Sequence, residues 1–125
     1  MTCKVFISHA FSHTPLYNSL AVRLDRDLPG WYNCSVPRNR RYGFDGKPLS
    51  DQEMETLLAK HIDDCEVMVV IAKPIAGIRP WLRWEVTYAK SKGKPIIAVW
   101  RRQVDVRVSR FVLAHSDVKI DSWNI

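Results

Sequence analysis

The segment Trp81-Leu82-Arg83-Trp84-Glu85-Val86-Thr87-Tyr88 sets one carboxylate among aromatic rings, and it is the most telling candidate for chemistry in the chain. On a helix, Trp81 and Glu85 are four apart and share a face, and Trp84 and Tyr88 form the adjacent ridge. On spacing alone, the commoner fate of such a glutamate is the edge of a buried stripe, in an ion pair with Arg83 or a lysine. A second candidate is Ser8-His9, with His13 four residues on. Two histidines at that spacing bind zinc when they lie on a helix, but this stretch reads as a loop. The expectation is therefore two solvated side chains and no metal. A Ser8–His9 nucleophilic pair is disfavoured because neighbours on a strand point to opposite faces. Gly30, Gly43, Gly46, Gly77 and Gly93 match neither dinucleotide nor P-loop phosphate patterns, which argues against a redox dehydrogenase or an NTPase.

These residues need a scaffold, and the order of elements supplies one. Lys4–Ser8 reads as a buried strand. Thr14 as cap and Pro15 as first helical residue open a helix striped by Leu16, Leu20, Leu24 and Leu28, which Pro29-Gly30 ends. Trp31–Pro37 reads as a second strand, with Tyr32, Cys34 and Val36 on one face. A basic loop follows over Arg38–Pro48. Ser50-Asp51-Gln52-Glu53 is a capping box ahead of Met54, Leu57, Leu58, His61, Ile62 and Cys65. Glu66–Ala72 suits a central strand, Pro80–Lys92 a helix closed by Gly93, and Pro95–Trp100 a further strand. Over Val104–His115, Val104, Val108, Phe111, Val112 and His115 fit a helix while Val104, Val106 and Val108 alternate like a strand; helix is favoured, and Asp117–Asp121 reads as a last short strand.

Such alternation predicts an α/β fold, a five-stranded parallel sheet in the flavodoxin-like order 2-1-3-4-5 with helices on both faces. Ligands in these sheets sit beyond the carboxyl ends of the strands. The expected site draws on Ser8–His13, the loop after Pro37, Lys73–Arg79 and the start of the next helix.

A chain of 125 residues suits a single domain over 1–125. Hydrophobic residues at 46% and charged ones at 26% exclude disorder, collagen-like sequence and coiled coil. Three scattered cysteines and the lack of a secretory pattern point to a reducing cytoplasm, and no apolar run is long enough to span a membrane. A net charge of +6 permits anionic partners without choosing among them.

Taken together, several segments resemble the TIR domain family, and more closely its bacterial TIR-like branch that includes the sensor proteins of Thoeris antiphage defence. They are Lys4–His9, Asn33–Pro37, Ile62–Val67, Trp81–Val86 and Gly93–Val99, in the family's order, from about residue 4 to residue 100. The resemblance implies a TIR-like three-layer fold and an NAD⁺ glycohydrolase or cyclase with Glu85 as the catalytic residue. Ser8, His9, Phe11 and Trp81 would border the nucleotide, and Arg38 would meet its diphosphate. NAD⁺ would be the substrate, with no separate cofactor. Self-association would complete the site, and a separate effector would sense an ADP-ribose-derived product.

Two other readings remain. One is a non-enzymatic TIR-like module acting through protein–protein contacts. The other is nucleotide or nucleic-acid binding through Arg38, Arg40, Arg41, Arg101 and Arg102, with Tyr42 and Trp100 for stacking; a solvated basic face is the commoner fate of such residues. Finally, Ser122–Ile125 falls where a last covering helix would begin. The C-terminal helix is therefore expected to be short or absent, with apolar surface open near Trp123.

Overall fold

A computed structural model describes residues 3–8, 14–36, 45–73, 79–101 and 107–121. Five strands and four helices alternate: β1 (Lys4–Ser8), α1 (Thr14–Asp27), β2 (Tyr32–Asn33), α2 (Asp51–Asp64), β3 (Val67–Ile71), α3 (Pro80–Ser91), β4 (Ile96–Val99), α4 (Arg110–His115) and β5 (Val118–Ile120). All pairings are parallel and the sheet order is β2-β1-β3-β4-β5, as the element order predicted.

Side-chain alternation on the strands divides the interior in two. Phe6, Met68, Val70, Ile96 and Ala98 face one way and meet Met54, Leu58 and Ile62 of α2, Leu82, Val86 and Ala89 of α3, and Val112 of α4. Val5, Ile7, Val69, Ile71 and Val99 face the other way and meet Leu20 of α1, with Leu16, Tyr17 and Leu24 beside it. Three of the described helices thus cover one face and one covers the other. Ile97 pairs with Val118 and Val99 with Ile120, so Val118 and Ile120 lie on the α1 face. They are 49% and 40% exposed. Trp123 itself lies outside the described residues.

The caps explain where elements begin and end. Ser50 Oγ accepts from the Glu53 N–H at 3.2 Å and Glu53 Oε1 accepts from the Ser50 N–H at 3.0 Å, completing the capping box. Pro80 opens α3, and Gly93 at φ +70° follows its end, in the left-handed region where glycine is at no disadvantage. Three expectations need correction. Thr14 is the first helical residue of α1 rather than its cap. The helix expected over Val104–His115 is described only from Arg110, because the Ser109 side chain accepts from the Val112 N–H and starts it there. Residues 102–106 lie outside the described set.

The third correction concerns β2, which has two ladder residues rather than the seven of Trp31–Pro37. The Cys34 N–H still reaches the Val5 carbonyl at 2.8 Å. The next partners are side chains. The Ile7 N–H donates to Ser35 Oγ at 2.8 Å, and the Cys34 carbonyl meets His61 Nδ1 at 2.7 Å. A carbonyl can only accept, so Nδ1 carries the proton. Ser35 and His61 thus keep the backbone satisfied where the ladder stops.

At the opposite edge, Asp117 ties three elements together. Its Oδ2 accepts from the Ile96 N–H at 2.9 Å, and its Oδ1 lies 3.3 Å from Lys90 Nζ. The Ile96 N–H first, then Lys90, holds this carboxyl below the usual aspartate range. A group whose folded value lies below its unfolded one adds stability that is present at neutral pH and lost as pH falls through the folded value. Asp117→Asn is therefore expected to lower Tm at pH 7 and to flatten its fall between about pH 5 and pH 3, read by thermal unfolding across that range.

Candidate active site

The site grows from the carboxyl end of β1. Phe6 faces α2 and α3, so Ser8, two residues on, points the same way. Ser8 pairs in register with Val70 and is 1% exposed. Above it, α3 lays Leu82, Glu85, Val86 and Ala89 against the sheet. Glu85 therefore lies within the buried stripe and not at its edge. It is 2% exposed and is the one charged side chain fully buried among the described residues.

Ser8 Oγ donates to Glu85 Oε1 at 2.7 Å, across 77 residues of sequence. The distance is that of a well-formed hydroxyl hydrogen bond. Burying a carboxylate costs several kcal/mol even after relaxation, so a fold with apolar alternatives does not bury one for stability. Its place beside a strand's carboxyl end, where open α/β sheets bind ligands, makes Glu85 the candidate for chemistry.

An aromatic ladder runs along the same helix. The rings of Trp81 and Trp84 meet edge to face with centroids 6.1 Å apart, and Trp84 stacks on Tyr88 at 5.0 Å and 10°. The Tyr88 hydroxyl donates to Asp63 Oδ1 at 2.9 Å, so α2 anchors the far end. Trp81, one turn before Glu85, is half-buried at the near end. Arg83 is on the exposed side, with its guanidinium 4.3 Å from the Phe111 ring centroid.

Of the six residues the sequence nominated, the structure brings Ser8 and Glu85 into contact and sets Trp81 one turn away. His9, Phe11 and Arg38 lie outside the described residues. Among the described residues no His, Cys, Asp and Glu cluster is suited to a metal. Also among them, no helix is long and apolar enough to cross a membrane. The sequence reading missed Ser35 and Asp63. Ser35 alternates with Cys34 and Val36 and gave no signal of its own; Asp63 follows the stripe of α2 by one residue past Ile62.

A second cleft, of about 460 Å³, is lined by Tyr32, Asn33, Cys34, Lys60, His61, Asp63 and Asp64. Its acids are engaged: Asp63 accepts from Tyr88, and Asp64 lies 3.3 Å from Lys4 Nζ. Burial raises the Cys34 thiol above its ordinary value and pushes neighbouring Cys65 up to about 11, so neither is a ready nucleophile at neutral pH. The chemistry of the molecule therefore points to Glu85 and not to this cleft.

Comparison with known proteins agrees with this architecture. A conserved protein from Enterococcus faecalis V583 superposes with a TM-score of 0.69 at 16% identity, covering 98% of this chain and 92% of that one. The CMP N-glycosidase BcmB of Clostridium botulinum superposes with a TM-score of 0.57, also at 16% identity, over 98% and 90%. At such identity the likeness shows a shared fold. No curated protein matches the sequence. The model of the TIR-like domain of the Thoeris protein ThsB matches residues 6–105, which take in Ser8, the whole of α3 and Glu85, and the chain belongs to that family.

Proposed function

We propose that the protein is an N-glycosidase acting on NAD⁺, which breaks the bond between nicotinamide and ribose and yields ADP-ribose or a cyclic relative as a signal in antiphage defence. The observation that carries this reading is the buried Glu85 carboxylate, held by Ser8 at the carboxyl edge of the sheet. The family supports it, as does a fold shared with an enzyme named for N-glycoside cleavage.

The chemistry suits a single carboxylate. Ordinary glycosidases need a second one to protonate a poor leaving group. Nicotinamide in NAD⁺ is already cationic, so the C1′–N bond breaks with its electron pair going to the ring nitrogen, and neutral nicotinamide departs. The positive charge then rests on the ribose as an oxocarbenium-like centre, which an anionic Glu85 stabilises. Water attacks C1′ and loses a proton, giving ADP-ribose, nicotinamide and H⁺. Attack by a nucleophile of the same molecule gives a cyclic isomer instead. Trp81 offers an apolar wall to the flat base. A cytoplasmic setting, self-association and a separate effector that senses the product belong to the same reading.

The test is incubation of concentrated protein with NAD⁺, with and without lysate from phage-infected cells, following free nicotinamide by chromatography. Release under at least one condition is expected. No release under any condition overturns the proposal.

A further inference from the structure

We propose that Ser8 is a positioning residue for Glu85 and not a contact to the substrate. The inference rests on the glycosidase reading for its kinetic consequence, but its geometry stands on the fold alone. A serine hydroxyl has one proton. In Ser8 that proton is donated to Glu85 Oε1 at 2.7 Å, so it is not available to a ribose or phosphate oxygen. Ser8 is 1% exposed and Glu85 2%, so the contact between them lies inside the fold.

The two partners stand on different kinds of support. Ser8 closes a strand held by β3 in register on one side, with Val5 and Ile7 of the same strand buried against α1. Glu85 has a longer side chain, on a helix whose neighbouring residues Leu82, Val86 and Ala89 are all buried. The bond therefore ties the helix side chain to the strand end. It sets the position of Oε1, and it favours the charged form, which accepts the bond, over the protonated form. Both effects serve a group whose task is to present negative charge at one place.

The experiment has two arms. The chain contains four glutamates, Glu53, Glu55, Glu66 and Glu85, so glutamate labelled with ¹³C at the side-chain carboxyl gives four NMR signals. Loss of one signal in Glu85→Gln assigns it. In Ser8→Ala, the Glu85 signal is expected to titrate at higher pH than in the native protein, and Ser8→Thr, which restores the hydroxyl, is expected to bring it back. In the second arm, Ser8→Ala is expected to lower kcat for nicotinamide release on the order of 10- to 100-fold with KM little changed, and Ser8→Thr to recover most of it.

An unchanged Glu85 titration in Ser8→Ala overturns the proposal, as does a raised KM with kcat intact, the pattern of a lost substrate contact. Should Ser8→Ala not fold, Ser8→Cys replaces it, since a thiol of similar size is a weak donor, and the same outcomes decide. If the native protein releases no nicotinamide, the glycosidase reading fails while the NMR arm still decides the role of Ser8.

Discussion

Glu85→Gln is expected to reduce nicotinamide release about a thousandfold while leaving the fold intact. The two side chains have nearly the same shape, and the glutamine carbonyl oxygen can still accept from Ser8 Oγ, so the bond between β1 and α3 survives. What is lost is the negative charge. In a dry site a fixed charge beside a developing cation is worth far more than it is in water, which is why its removal is costly to the rate. Stability moves the other way. The native protein keeps a carboxylate buried among Leu82, Val86 and Ala89, and neutralising it removes a desolvation penalty. Tm of Glu85→Gln is therefore expected to equal or exceed that of the native chain, the usual trade between an active site and a stable one. The check is nicotinamide release and thermal unfolding on the same preparations. Equal release by the two proteins would remove Glu85 from the chemistry. A Tm lowered by many degrees would instead make Glu85 a structural member of the core.

The strand order was legible because this fold writes its plan locally. Val67–Ile71 and Ile96–Val99 are continuous apolar runs, the pattern of strands covered on both faces, and the capping box at Ser50 marks a helix start within a few residues. β2 was legible only in part. Tyr32, Cys34 and Val36 alternate as a strand should, yet the ladder ends at Asn33 because Ser35 Oγ takes the Ile7 N–H and His61 takes the Cys34 carbonyl. No periodicity shows that a hydroxyl 28 positions away will replace a backbone acceptor. Glu85 had the same limit. Spacing placed it on a face with Trp81, and the resemblance gave it a role. Its depth and its bond to Ser8 follow from how α3 crosses β1, which no local pattern records. The Val104–His115 segment was ambiguous because its valines satisfy both periods, and Ser109 decides where its helix starts.

Phe6→Ala is expected to destabilise the protein by about 3–5 kcal/mol, the range for emptying a large aromatic site in a packed core. Phe6 is 1% exposed on the sheet's second-position strand, and it belongs to the interior shared with α2 and α3. A native domain holds only about 5–15 kcal/mol in total, so this one change removes a large share. Val22, 66% exposed on α1, is the control: Val22→Ala is expected to lie within about 0.5 kcal/mol of the native protein. Urea unfolding reads both, with the midpoint falling sharply for Phe6→Ala and the slope little changed. Activity adds a second consequence. Ser8 follows Phe6 on the same face, so a cavity at Phe6 loosens the strand end that holds Glu85. Nicotinamide release by Phe6→Ala should then fall further than its unfolded fraction explains, whereas a variant emptied on the opposite face, Leu20→Ala, should lose activity only in step with its unfolded fraction. Equal specific activity per folded molecule in both variants would show that the rigidity of β1 does not reach the carboxylate.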